Sequence, residues 1–210
     1  MKLSELQRDA LGEMANISAS RAAKQLSALL GDSIDITVPR VELLPLPALR
    51  ERLGADGDGT IACVYQALSG VLQGRVHLMF HNRDSKALIH ALVGDAGPML
   101  ADALREYEHE AMTEVGNIII ATFAAMLADL LGAELRLSLP YYNEGSVEEL
   151  MFNLPAAEDA ALMVVVVIET VLRAAQRDVS GTLMVVLKVH SAEELLSRID
   201  AMLQQIGVEA

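Results

Sequence analysis

The chain has 210 residues, of which 52% are hydrophobic and only 3% aromatic, so its core must be built from aliphatic side chains and methionine. The formal net charge of −13 disfavours nucleic acid and anionic membranes as partners. Cys63 is the only cysteine, which excludes an intrachain disulfide and a thiolate metal cluster. Met1–Arg8 has no signal-peptide pattern, and the longest apolar run, Ala160–Ile168, is too short to span a bilayer, so we expect a cytoplasmic protein.

The chain resembles itself at an offset of 101 residues. Glu13–Pro39 aligns without a gap on Glu114–Pro140, and nine of the 27 positions are identical. We therefore predict a single pseudo-twofold domain over residues 1–210, made of two repeats at 1–96 and 97–210 that are joined at Gly94–Pro98.

Hydrophobic periodicity and turn residues predict the order of elements in each half. The first half has a helix over Leu3–Leu30 that Gly31 ends, a strand over Ile34–Leu43 and a turn-rich segment over residues 44–59. Two strands follow, Thr60–Leu68 and Gly74–Phe80, joined at Ser69-Gly70, and a helix over Arg83–Val93 ends this half. The second half has a helix, three strands with a turn at Asp178–Gly181, and a helix capped by Ser191 and Glu194: Ala101–Leu131, Glu134–Leu139, Ala161–Leu172, Thr182–Val189 and Ala192–Ile206. Each half is thus α-β-β-β-α. The predicted class is α/β (α+β), with a shared, mainly antiparallel sheet and long helices packed on it.

Acidic and amide side chains recur on one face of each long helix. At about 100° per residue, the two sets are Asp9, Glu13 and Asn16, and Glu110, Glu114 and Asn117. A charged stripe on a helix is usually a solvated face. However, asparagine is an indifferent residue inside a helix, and packing does not explain why exposed Glu and Asn recur while their neighbours differ. We therefore interpret the two sets as two copies of a functional site.

The spacing of these residues resembles a known family. Asp9-x3-Glu13-x2-Asn16-x22-Pro39 is similar to the motif of the CheC/CheX/FliY chemotaxis phosphatases. Glu110-x3-Glu114-x2-Asn117-x22-Pro140 repeats the motif, except that Glu110 replaces the usual Asp or Ser. Ala15 stands where the family often has glycine, whereas Gly116 keeps that residue. Two motifs in one chain resemble the CheC type.

The resemblance implies an aspartyl-phosphate phosphatase that acts on a phosphorylated CheY-like receiver domain. The receiver would supply Mg²⁺, so the chain is expected to carry no cofactor and no metal of its own. Asn16 and Asn117 would orient the attacking water, and Glu13 and Glu114 would anchor the receiver through its lysine. Pro39 and Pro140 would set the geometry of the strand beside each helix.

A second class of function stays open: a non-catalytic adaptor of the chemotaxis or flagellar-switch system that binds receivers or the deamidase CheD. The run Asp56–Gly59 is interpreted as a turn rather than a calcium loop, because the twelfth position is Ala67 and not Glu. The histidines are scattered and predict no metal site.

The two sites are expected to be unequal. Gly116 beside Asn117 would leave room for a close backbone approach by the receiver and make the second site stronger, whereas Ala15 adds a methyl group beside Asn16. The departure of Glu110 from the motif argues the reverse.

Overall fold

The computed structural model of the chain describes residues 1–55, 60–93, 101–146, 149–150, 162–174, 177–205 and 207. The helices are α1 (Glu5–Leu30), α2 (Leu46–Ala55), α3 (Asn82–Val93), α4 (Ala101–Leu131) and α5 (Val189–Gln205). The strands are β1 (Ile34–Pro45), β2 (Thr60–Gly70), β3 (Gly74–His81), β4 (Leu135–Leu137), β5 (Tyr141–Ser146), β6 (Met163–Ala174) and β7 (Arg177–Lys188). The predicted class is confirmed: helices pack on a sheet whose described pairs are all antiparallel.

The sheet interleaves strands from the two parts of the chain. Its order is β1-β6-β7-β3-β2-β4, and β5 pairs with β2 beyond β4. If β4 and β5 are counted as one interrupted strand, each outermost strand pairs with a strand from the other part of the chain. The order is then the same from either edge of the sheet once β1, β2 and β3 are exchanged for β4/β5, β6 and β7. The predicted boundary at Gly94–Pro98 lies outside the described residues, and the division into halves stays a prediction.

Side chains from the two faces of the sheet enter two cores, as alternation along each strand requires. On β2, Ala62 and Val64 join the larger core beneath α1, α3, α4 and α5, whereas Ile61 and Cys63 join a smaller core with residues of α2. The long helices therefore lie on one face of the sheet and are fixed by the same aliphatic layer.

The first long helix, α1, begins and ends where capping chemistry predicts. Ser4 and Gln7 form a capping box at the start of α1, and Gly31 ends the helix in the left-handed conformation with φ +69°. The stretch Glu106–Leu131 of α4 is long and apolar enough to cross a membrane by length and composition alone. Its buried side chains, among them Met112 and Ile120, pack in the larger core, so here it acts as a core helix.

Several predicted boundaries are wrong. Most of the turn-rich segment is α2, because Leu46 and Leu49 bury an apolar face against the smaller core. The predicted turn at Asp178–Gly181 lies inside β7, where these residues pair with β6, and the predicted turn at Ser69-Gly70 is the end of β2. The last helix begins at Val189 rather than after Ser191. Ser191 is not its cap, since its Oγ accepts a hydrogen bond from Gln73 N at 3.1 Å. The run Asp56–Gly59 lies outside the described residues.

A one-residue bulge occurs at each motif proline. In β1, Thr37 lies opposite Val171 and Arg40 opposite Glu169, so two residues of β1 face only Thr170. In the second part of the chain, Leu137 lies opposite Leu68 and Tyr141 opposite Tyr65, so three residues, 138–140, face two, 66–67. Proline lacks the N–H that a continuous ladder needs, and a bulge accommodates that loss.

Gly116 holds α4 close to the sheet. A Cβ atom at this position would lie 2.5 Å from Cβ and Cγ1 of the fully buried Val64 and 2.6 Å from its Cγ2. The expectation that Gly116 gives a receiver access to the backbone is therefore wrong, because this glycine faces the sheet and is itself buried. Ala15 is buried on the equivalent face of α1, so neither residue ranks the two sites.

We expect Gly116→Ala to lower the free energy of unfolding by about 1–3 kcal/mol, because the new methyl group overlaps three atoms of a branched side chain that has no room to move. The matched control is Gly12→Ala in α1, where an added Cβ meets no described atom within 4 Å. That substitution should raise stability by about 0.5–1 kcal/mol through helix propensity alone. Urea unfolding measures both, and a stabilising Gly116→Ala would contradict the packing argument.

Candidate functional site

The first candidate site lies on the outer face of α1. Glu13 and Asp9 are exposed and make no hydrogen bond or ion pair with any residue that the structure describes, whereas Asn16, one turn after Glu13, is half-buried. The Glu13 carboxylate, which has no partner among the described residues, thus lies beside the Asn16 amide on the flank of the helix. The carboxylate can therefore pair with a cation of another molecule without breaking a contact that the structure describes.

Asn16 is tied to the bulge in β1. Its Oδ1 accepts a hydrogen bond of 2.9 Å from the backbone N–H of Val38, the residue before Pro39. Because the bulge interrupts the ladder between Thr37 and Arg40, this N–H takes a helix side chain as its acceptor. The Nδ2 group of Asn16 has no partner among the described residues and keeps two donors.

The second site repeats this arrangement on α4. Glu110 and Glu114 are exposed and have no partner among the described residues, and Asn117 is half-buried. The tie to the strand is different, because Asn117 Oδ1 accepts a hydrogen bond of 3.3 Å from Gln66 Nε2 rather than from a backbone N–H. The same Nε2 donates to the Ser138 carbonyl at 2.8 Å, within the bulge before Pro140.

The surroundings of the two prolines also differ. Val38, before Pro39, is buried, whereas Leu139, before Pro140, is 79% exposed. Thr170 faces the first bulge and uses its short side chain to donate to the Gly181 carbonyl at 3.0 Å. Gln66 faces the second bulge and reaches between helix and strand. In the first site Asn16 contacts the strand backbone directly, whereas in the second site the longer Gln66 side chain bridges Asn117 and the strand backbone.

The two sites lie far apart. Asn16 contacts β1, the first strand in the sheet order, and Asn117 contacts β2, the fifth. Four strand spacings of about 4.8 Å separate these strands by roughly 19 Å. The structure therefore brings Glu13 together with Asn16 and Glu114 together with Asn117, but does not join the two pairs into one centre.

Other titratable groups considered from the sequence do not join either site. His77 is buried on β3, with Nδ1 3.9 Å from Cys63 Sγ, and burial lowers its pKa to about 4. Burial raises the pKa of Cys63 to about 12, and its side chain packs in the smaller core. Within the described residues no three His, Cys, Asp or Glu side chains are grouped to hold a metal. That the chain carries no metal of its own stays a prediction.

Gln66 was not identified from the sequence as a residue of the second site. It follows Ala62 and Val64 at the inward positions of β2 and precedes Leu68. A polar residue in an inward apolar series needs a hydrogen-bond partner, and that signal could have identified it.

We expect Asn16→Ala to lower the free energy of unfolding by about 1–3 kcal/mol, because it leaves the Val38 N–H without an acceptor. Asn117→Ala should cost less than Asn16→Ala, because the hydrogen bond that it removes is longer, 3.3 Å against 2.9 Å, and Gln66 Nε2 keeps the Ser138 carbonyl. Ser20→Ala, at an exposed position on α1, is the control and should stay within about 0.5 kcal/mol. Urea unfolding of the three variants ranks their free energies of unfolding. Equal losses for the two Asn variants would contradict the inference that the two asparagines are held by different hydrogen bonds.

Comparisons with known proteins show which family the chain resembles. The model of the CheC-like family matches residues 6–43, which include most of α1 and of β1. The CheY-P phosphatase CheC of Bacillus subtilis (strain 168) is 29% identical over 139 residues, which are 66% of each chain. The flagellar motor switch phosphatase FliY of the same strain is 28% identical over 138 residues, 66% of this chain and 35% of FliY. The chain thus spans just under two thirds of the first relative and about a third of the second.

Solved structures share the fold. FliY of Thermotoga maritima matches with a TM-score of 0.73 and 22% identity, over 96% of this chain and 99% of that one. The FliM middle domain of H. pylori matches with a TM-score of 0.61 and 13% identity, over 93% of this chain and 99% of that one. With the family model and the two curated relatives, these matches confirm that the chain resembles the CheC-like family, as its two Glu-x-x-Asn motifs predict.

Proposed function

We propose that the chain is an aspartyl-phosphate phosphatase that acts on a phosphorylated CheY-like receiver domain. The observation that carries the proposal is an exposed glutamate, without a partner among the described residues, followed one turn later by a strand-tied asparagine. This pair is present on both α1 and α4. The names of the two curated relatives, a CheY-P phosphatase and a flagellar motor switch phosphatase, support the same chemistry.

In this reaction the chain itself has little covalent chemistry to perform. A water oxygen attacks the phosphorus, the bond from phosphorus to the aspartyl oxygen breaks, and inorganic phosphate and the free carboxylate result. The receiver supplies Mg²⁺, so what the phosphatase must supply is the position of the water. This demand suits a site that presents an amide and a carboxylate but no nucleophile.

Each side chain has a separate task in this proposal. The Nδ2 group of Asn16 or Asn117 donates to a phosphoryl oxygen, and the second lone pair of Oδ1 accepts from the attacking water. Glu13 or Glu114 pairs with a lysine of the receiver, which holds the complex in register. Because Oδ1 already accepts one hydrogen bond from the strand, the amide plane is fixed before the receiver arrives.

The roles of the flanking residues follow from their positions. Asp9 and Glu110 are exposed one helical turn before the anchoring glutamates and would extend the acidic surface toward the receiver. Pro39 and Pro140 lie at the bulges and act through the geometry of the strand rather than on the substrate.

We expect Asn16→Asp combined with Asn117→Asp to abolish the acceleration of phosphate release from a phosphorylated CheY-like receiver. Aspartate keeps the acceptor toward Val38 N and Gln66 Nε2 but removes both Nδ2 donors, so the loss reports on chemistry and not on packing. Thermal unfolding of the double variant checks the fold, and Ser20→Ala controls for changes on the exposed helix face. If the unsubstituted chain binds the phosphorylated receiver without releasing phosphate, the adaptor function replaces the enzyme.

We expect no tight binding of Mg²⁺ to the chain alone in isothermal titration calorimetry, although phosphate release in the presence of the receiver requires Mg²⁺. The physical reason is that the described carboxylates of the two sites are exposed and are not grouped into a ligand set. A stoichiometric, tight Mg²⁺ site on the isolated chain would contradict the division of labour, since the metal would then belong to the phosphatase.

A further inference from the structure

We propose that Gln66 is a positioning residue of the second site, which fixes the orientation of the Asn117 carboxamide; this proposal rests on the proposed function. Gln66 lies on β2, beneath α4, and is only 2% exposed, so a receiver docked on the outer face of the helix cannot reach it. It would therefore act on the reaction only through Asn117.

The hydrogen bonds of Gln66 define which way both amides point. Its Nε2 lies 2.8 Å from the Ser138 carbonyl oxygen, which only accepts, so the nitrogen of Gln66 must be on that side. The remaining N–H of the same nitrogen points at Asn117 at 3.3 Å and requires an acceptor there. Asn117 consequently turns Oδ1 inward and Nδ2 outward, the orientation that the phosphoryl group needs.

The first site reaches the same orientation by another route. There the Val38 N–H donates to Asn16 Oδ1, and a backbone donor cannot be changed by substituting its side chain. Thr170 occupies the position that corresponds to Gln66 and donates to a strand carbonyl instead of reaching the helix. The orientation of Asn117 thus depends on one replaceable side chain, whereas that of Asn16 does not.

An unpaired acceptor argues that Gln66 is not there for stability alone. Its Oε1 is buried and has no hydrogen-bond partner in the part of the chain that the structure describes. An unsatisfied buried acceptor is unfavourable to folding, and a threonine at this position, as at Thr170, would avoid it. The presence of Gln66 is therefore better explained by what its Nε2 holds than by its own packing.

The experiment isolates the second site. In an Asn16→Asp background, phosphate release from a phosphorylated receiver is compared for Gln66, Gln66→Met and Gln66→Glu. Methionine keeps the size of the side chain but has no donor, and glutamate replaces the donor with an acceptor that attracts Asn117 Nδ2 inward. Because a displacement of about 1 Å at a reacting group can cost up to about 100-fold, we expect kcat to fall roughly tenfold or more. KM for the receiver should change less than about twofold, since Glu114 is untouched.

Two controls separate positioning from folding. Ser69→Ala removes another side-chain contact between β2 and β4, a hydrogen bond of 3.4 Å to the Arg136 carbonyl, and should leave kcat unchanged. Thermal unfolding identifies a general loss of structure, which would lower first-site turnover in an Asn117→Asp background as well. A fall in kcat confined to the second site supports positioning, whereas equal falls at both sites overturn it.

A measurement independent of turnover keeps the two proposals distinguishable. The side-chain amide signals of Asn117 in a ¹⁵N–¹H correlation spectrum should shift on Gln66→Met and Gln66→Glu, while those of Asn16 stay in place. If the unsubstituted chain does not accelerate phosphate release, the proposed function fails, but the amide signals still test the orientation. Unchanged Asn117 signals together with unchanged kcat would overturn the role of Gln66.

Discussion

The hydrogen bond from the Val38 N–H to Asn16 Oδ1 ties α1 to the sheet and accounts for the spacing of the first motif. Pro39 has no N–H to give to β6, so the ladder breaks into a bulge and the preceding N–H turns to the helix. Asn16, 22 residues earlier in the sequence, accepts the hydrogen bond from this N–H. In the first motif the Asn-x22-Pro spacing therefore has a structural explanation, whereas in the second motif Gln66 bridges the same interval.

Much of the fold and of the site could be predicted from the sequence, because local rules decide those parts. Gly31 ends α1 where a left-handed residue is needed, and the fold class follows from short antiparallel connections and long helices with an apolar face. The helical period alone places Glu13 beside Asn16 and Glu114 beside Asn117. What the sequence does not contain is the partner of each asparagine, because that depends on how strands meet across the sheet.

The wrong predictions have a common cause in tertiary contacts. The turn residues of Asp178–Gly181 predict a turn by local preference, but pairing with β6 overrides that preference and keeps the chain extended. The proline-containing segment that begins at Leu46 is helical because Leu46 and Leu49 bury an apolar face against the smaller core. Gly116 was expected to leave room for a receiver, but the position of Val64 beneath α4 shows that this residue faces the sheet.

A site that works through an amide and a carboxylate depends on geometry, so the fixed direction of its amide matters more than its reactivity. A free asparagine side chain can turn its carboxamide over, which would exchange donor for acceptor at the point where the proposed reaction holds a water. The strand donors at Val38 and Gln66 prevent this exchange by holding Oδ1. The distance from Gln66 Nε2 to Asn117 Oδ1, 3.3 Å, is longer than the 2.9 Å from Val38 N to Asn16 Oδ1. The second amide is thus held less tightly, and an inequality between the sites would arise from this tie rather than from the glycine beside Asn117.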